Sequence, residues 1–129
     1  MRDIRVGYAA VKQPYFDQKW ASEMYHRSLA LLRDLKGVRL VEPNGTITTE
    51  EDAQKAATIF HTENVDLVLM QCINADSGIL ASILGQKSGA PILVWSTPEP
   101  TMHETCLVAN SFCGAMIITA TLRRLDIPY

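Results

Sequence analysis

The sequence predicts an α/β domain in which a parallel sheet of at least four strands is sandwiched between layers of helices. Short continuous apolar runs alternate with longer stretches in which apolar residues recur every three or four positions, the pattern of repeated βα units. The central run, Leu67-Val68-Leu69-Met70, is unbroken, as a parallel strand buried on both faces requires. The length, 129 residues, bounds the architecture further, because it supplies one ordinary core and not two independent ones.

Four units follow in order. Ile4 to Ala10 reads as the first strand, Val11 to Phe16 as a loop, and about Asp17 to Lys36 as a helix that Asp17 can cap. Its apolar stripe is Ala21, Met24, Ser28, Leu31, Leu32 and Leu35, with Gly37 as the stop. Val38 to Glu42 forms a second strand ended by the Pro43-Asn44-Gly45 turn, after which Thr48 and Glu51 stand at capping-box spacing. The helix that starts there has Ala53, Ala56, Ala57 and Phe60 on its apolar face, small residues that let it approach the sheet closely, and Asn64 as a left-handed stop. Asp66 to Gln71 is the third strand. Asp76 or Ser77 caps a third helix with Ile79, Leu80, Ile83 and Leu84 inward, and Gly89-Ala90-Pro91 turns into the fourth strand, Ile92 to Trp95.

A long loop with two prolines, Ser96 to Asn110, leads to Asn110-Ser111 as caps of a last helix, Phe112 to Leu125, with Arg123 and Arg124 in its final turn. Parallel strands joined by right-handed crossovers favour the order 2-1-3-4, the flavodoxin-like winding. Phe112, Cys113, Ala115, Met116, Ile117, Ile118, Ala120 and Leu122 are more apolar positions than one stripe facing one sheet can use. A second cover for this helix is expected, from a longer polypeptide or from oligomerisation. The exit Asp126-Ile127-Pro128-Tyr129 is typical of a helix leading to another strand.

Composition excludes several function classes. A hydrophobic fraction of 47% with 20% charged residues is that of a globular chain. Twelve Lys and Arg against fourteen Asp and Glu give a net charge of −2, without the basic excess that attracts nucleic acid or anionic lipid. The stretch from Ile73 to Lys87, interrupted by Asp76, is too short and too polar to span a membrane. The first residues lack the apolar core of a secretory signal, so the cytoplasm is the default compartment. Three cysteines without C-x-x-C spacing suggest reduced thiols and neither a disulfide framework nor a zinc knuckle.

Ligands of open α/β sheets gather outside the carboxyl ends of the strands, which places chemistry on the loops Val11 to Phe16, Cys72 to Ser77 and Ser96 to Asn110. These loops hold Lys12, Gln13, Tyr15, Asn74, Asp76, Thr97, Glu99, His103, Glu104 and Asn110, a set suited to hydroxyl-rich ligands. Gly7 stands alone, with no G-x-G-x-x-G or P-loop after the strand, and Asp66 opens the third strand where a phospho-receiver would have an aspartate at its end. Cys113 near a helix N-terminus, with His103 on a nearby loop, is either a nucleophile or a small packing residue. Glu99, His103 and Glu104 have metal-ligand chemistry but no diagnostic spacing. Trp95 either walls a sugar pocket or packs in the core, and His26 and His61 fall on helices away from the strand ends.

Three segments, Gln13-Pro14-Tyr15-Phe16-Asp17, Trp95-Ser96-Thr97-Pro98-Glu99-Pro100 and Asn110-Ser111-Phe112-Cys113-Gly114, together resemble the N-terminal domain of L-fucose/L-arabinose isomerase-like proteins. Gln13 stands where that family often has an arginine. The resemblance implies a flavodoxin-like, Rossmann-like domain of a metal-dependent aldose–ketose isomerase, usually with Mn2+, which moves a proton between adjacent sugar carbons through an enediol. It implies that the metal ligands lie in following domains, so that this segment binds no metal or cofactor and is not catalytic alone. It also implies that the domain helps build trimers or hexamers and closes over a sugar substrate shared with a neighbouring subunit. By motif position the substrate-facing residues are Gln13, Tyr15, Phe16, Trp95, Glu99, Asn110, Ser111, Cys113 and Gly114. Two other readings stand beside it: a free-standing flavodoxin-like module for a small polar ligand or protein partner, and an enzyme with Cys113 as nucleophile.

Overall fold

The computed structural model describes residues 2–100 and 107–129. Strands and helices alternate along them: β1 (Ile4–Val11), α1 (Gln18–Arg33), β2 (Val38–Val41), α2 (Glu50–Thr62), β3 (Leu67–Cys72), α3 (Ile79–Ser88), β4 (Ile92–Ser96) and α4 (Ser111–Arg124). All pairings are parallel and the order is β2-β1-β3-β4, so the expected α/β winding is observed. None of these helices is long and apolar enough to cross a membrane.

Alternation along each strand sorts the core into two halves. Ala9 and Val11 of β1, Val68, Met70 and Cys72 of β3 and Ile92 of β4 meet α2, α3 and α4. Val6, Tyr8 and Ala10 of β1 and Leu69 of β3 meet α1, which covers its face without a second helix. Gly7 explains how closely α2 seats, because a Cβ there would lie 2.7 Å from the Phe60 ring. On the α1 side the core contains a polar chain: the buried Tyr8 hydroxyl donates to Gln71 Oε1, and Gln71 Nε2 donates to Ser28 Oγ at 2.9 Å. Burial raises the Tyr8 phenol above its ordinary pKa, so it remains a donor.

The elements obey the expected signals with informative shifts. Asp17 caps α1, its carboxylate accepting the Trp20 N–H. The helix ends at Arg33, before Lys36, and Gly37 (φ +75°) serves the turn into β2. Its contact line is Ala21, Ser28, Leu29 and Leu32, while the expected Leu31 and Leu35 are exposed. A lone helix over a sheet buries one narrow line, and Leu35 already lies past its last turn. The capping box of α2 is Thr49 with Asp52, one residue beyond the expected Thr48 and Glu51. The reason is upstream: Ile47 N–H donates to Ala10 C=O and Ile47 C=O accepts from Lys12, so the chain is still extended beside β1 at that point. Ala53, Ala56, Ala57 and Phe60 are fully buried and Asn64 takes a left-handed φ of 50°, as read.

Neither Asp76 nor Ser77 is the N-cap of α3. Gly78 holds that position, and Asp76 instead accepts the Gly78 N–H. Leu80 and Leu84 point inward, Ile83 is partly buried against the core and Ile79 is exposed, because the helix begins after the turn and presents Ile79 at its outer corner. The capping box gives a direct test. Thr49→Ala is expected to cost about 1 kcal/mol in urea unfolding, and Thr48→Ala to change stability far less.

Candidate functional site

The carboxyl ends of the strands are closed by a ring of hydrogen bonds between loops. β1 and β3 are neighbours, but the chain leaves β1 for α1 on one face and β3 for α3 on the other, and the crevice between their ends is the usual ligand position of such folds. Here it is filled by the chain itself. Asn74, fully buried, accepts the Gln13 N–H at 2.7 Å through Oδ1 and donates to the Gln13 carbonyl at 3.1 Å through Nδ2. Gln13 Nε2 donates to Asp76 Oδ1 at 2.8 Å. The ring continues where Ala75 N–H donates to Ala109 C=O at 2.9 Å, and where Asp17 N–H reaches Val108 C=O at 3.4 Å.

Glu99 organises the start of α4. Its carboxylate accepts the backbone N–H groups of Val108, Ala109 and Asn110. These donors precede a helix whose N-cap, Asn110, has a left-handed φ of 53° and makes no side-chain cap bond. A carboxylate there satisfies orphan donors and complements the positive end of the helix. Ser111, the first helical residue, donates its hydroxyl to the Cys72 carbonyl and accepts the Thr97 N–H at 3.0 Å. Gly114 lets α4 lie against the end of β3, since a Cβ there would sit 2.9 Å from Ala75 Cα.

The expected site residues therefore separate into groups. Gln13, Glu99, Asn110, Ser111 and Gly114 form the ring and hold the loops in place. Tyr15, 72% exposed, and Phe16 form an aromatic pair with centroids 5.3 Å apart on the rim. Cys113 is exposed and Phe112, beside it, is 69% exposed. Trp95 is not with them: its ring packs in the α1-side core and lines a groove of about 200 Å³ with Met24, Arg27, Ser28 and Leu31. His103, Glu104 and Cys106 lie outside the described residues. Sequence reasoning placed Asn74 and Asp76 on the right loop but did not foresee their clasp on Gln13.

Among the described residues, the large side chains left exposed at the rim include Tyr15 and Phe112. Cys72 is buried, and that burial, followed by the Asp76 carboxylate and Cys113, pushes its thiol up to about 12. Thr97 Oγ1 is buried without a hydrogen-bond partner among the described residues. No three His, Cys, Asp or Glu side chains among the described residues converge as a metal site.

A family model for the N-terminal domain of fucose/sulfoquinovose isomerase matches residues 7–129. The chain belongs to that family. The match runs from the middle of β1 past the end of α4, so it includes Gln13 to Asp17, Trp95 to Pro100 and Asn110 to Gly114. A search of curated proteins gives no match.

Two outcomes test the isomerase-domain rim. Glu99→Ala is expected to lower unfolding stability by about 1–3 kcal/mol, since it strips a shared acceptor from three backbone donors, and Glu99→Gln by less. With iodoacetamide at neutral pH and peptide mapping, Cys113 is expected to alkylate in the native state and Cys72 only after unfolding.

Proposed function

We propose that this domain covers the sugar and joins subunits in a metal-dependent aldose–ketose isomerase, without supplying the catalytic groups. The divalent ion and the acid–base pair that shifts a proton between adjacent sugar carbons belong, on this reading, to following parts of the polypeptide. The family assignment over residues 7–129 supports the enzyme class.

The observation that carries the covering and joining role is the outer stripe of α4. Phe112, Met116 and Ile117 are exposed along one side of the helix, 69%, 59% and 37% respectively, while Gly114, Ile118 and Leu122 on the other side are buried. Covering each large side chain is worth roughly 1.5–3 kcal/mol, a strong incentive to meet another surface. The stripe begins at the rim, beside Cys113 and on the same end of the sheet as Tyr15. A surface that closes there over a neighbouring active site excludes water from the sugar while its own polar groups stay engaged with one another.

The test uses the complete isomerase polypeptide. Met116→Glu is expected to dissociate the oligomer in analytical ultracentrifugation, because it puts a charge into the joining stripe. Tyr15→Ala is expected to leave assembly intact and raise KM for L-fucose or a related aldose about tenfold, one contact's worth of binding. Turnover of an aldose by the 129-residue chain with Mn2+, or an oligomer unmoved by Met116→Glu, would refute the proposal.

A further inference from the structure

Asp76 is a carboxylate only 3% exposed, and it makes no ion pair among the described residues. A buried charge without a cation has to be held by hydrogen bonds. Both of its oxygens are taken by donors, Oδ1 by Gln13 Nε2 at 2.8 Å and Oδ2 by the Gly78 N–H at 3.2 Å. An ionised carboxylate accepts and cannot donate, so the Gln13 amide is turned with its NH2 group toward Asp76. Its carbonyl oxygen, Oε1, is left without a partner among the described residues. The backbone of Gln13 is fixed as well: Asn74 bonds its N–H and its carbonyl, and Gln18 Nε2 donates to the same carbonyl at 3.0 Å. What this clamped residue has to offer a ligand is an acceptor.

Gln13 follows β1, and Asn74 and Asp76 follow β3, so the clasp lies where the winding of the sheet changes direction. Gln13 lines a cavity of about 250 Å³ there, to which Thr48, Thr49 and Ser77 bring hydroxyl groups and from whose lining Asp76 is absent. Pockets that enclose a whole ligand run to roughly 300–1,000 Å³. This one suits one end of a polyhydroxylated molecule whose remainder is held elsewhere, as a sugar shared with another surface would be.

We propose that Asp76 is a positioning residue that fixes the Gln13 amide as the hydrogen-bond acceptor for a hydroxyl of the sugar, an inference that rests on the covering role proposed above. The polarity of the contact is then set at position 76 and not at position 13. An amide at position 76 has one acceptor where the carboxylate has two. The Gly78 N–H belongs to the backbone, in a glycine held at φ +87°, and keeps that acceptor. The new NH2 group then faces Gln13, whose amide turns about its last bond, accepts through Oε1 and points its own NH2 outward. Asp76→Asn thus reverses what Gln13 offers while the hydrogen bonds of the clasp survive.

Two measurements test this. In the isotope-labelled 129-residue chain, NMR follows exchange of the Gln13 side-chain NH2 with water. Its bonded hydrogen is expected to exchange about tenfold more slowly than that of a free amide in the native chain, and at the free rate in Asp76→Asn, where the new side-chain amide becomes the protected one. In the complete isomerase polypeptide, Asp76→Asn is expected to raise KM for the aldose about tenfold, one hydrogen bond's worth of binding, with kcat within about twofold. Combining Asp76→Asn with Gln13→Glu restores an outward acceptor and is expected to return KM to its native value. Gln13→Met keeps the length of the side chain without an amide and leaves Asp76 in place, so it is expected to raise KM to the same extent even if Asp76→Asn does not fold. A Gln13 NH2 that exchanges freely in the native chain, a KM unmoved by Asp76→Asn or by Gln13→Met, or one that the double variant does not restore would overturn the proposal. Tyr15→Ala separates this failure from that of the covering role: a KM raised by Tyr15→Ala and by neither other single variant removes the positioning alone, and a KM unmoved by all three removes both.

Discussion

A parallel sheet keeps its ladder intact only when both of its faces are dry, and this domain meets that constraint unequally. On one face α2, α3 and α4 lie side by side over β1, β3 and β4. On the other, α1 covers the middle of the sheet and reaches β4 only through the partly buried Trp95. The imbalance follows from the winding. One crossover runs toward β2 and places one helix on its face, and every later crossover runs the opposite way and places its helix on the other. The exposed Leu93 and Leu31 and the groove beside Trp95 are consequences of that count. The Tyr8–Gln71–Ser28 chain lies on this thinner side, where its hydrogen bonds add direction to an interface that apolar burial alone would leave free to slide.

The carboxyl end of the sheet meets a different requirement. Loops there would leave backbone donors unsatisfied, and each one buried without a partner costs about 1–3 kcal/mol. Asn74 answers this by accepting the N–H of Gln13, 61 residues away, and Glu99 by accepting those of the three residues that lead into α4. The same side chains are then committed, and a committed amide or carboxylate is a poor candidate for a proton shuttle. What the rim offers outward is Tyr15, Phe112 and the first turn of α4. Among the described residues this end of the domain therefore shows apolar surface outward, while its polar side chains are spent on holding the loops together.

The fold was legible in the residues because its signals are local. Ala53, Ala56, Ala57 and Phe60 recur at helical spacing, and Leu67 to Met70 run without a polar break, so helix and strand followed from short windows, while the order needed the handedness of the crossovers. Where two windows were equivalent, the tertiary ladder decided: Thr48 and Thr49 both begin a cap-like spacing, and only the pairing of Ile47 with β1 selects the second. Leu31 and Leu35 fit a helical stripe as well as Leu29 does, and which leucine is buried depends on how a single helix is rotated on its sheet. The rim was legible in part. Its residues could be assigned to the right loops, but that Glu99 accepts from residues 108–110 is a tertiary contact, and Trp95 sits with α1 because its position in β4 has the parity of Leu93. Neither fact has a local signature beyond strand register.

α4 is where these constraints meet. Its buried side is pinned at its N-terminal end by Gly114 against the end of β3, and further along by Ile118 and Leu122 in the core. Its first turn is fixed by Ser111 between Thr97 and Cys72, with Glu99 holding the residues that lead into it. A helix held so firmly along one side presents the other as a rigid surface, and rigidity reduces the entropy that any partner of that surface must overcome. The same helix ends at the turn that brings Pro128 to the open edge of β4. Displacing α4 would therefore disturb the rim and the β4 edge together, so the apolar stripe, the loop ring and the Pro128–Ile92 contact are one mechanical unit and not three independent features.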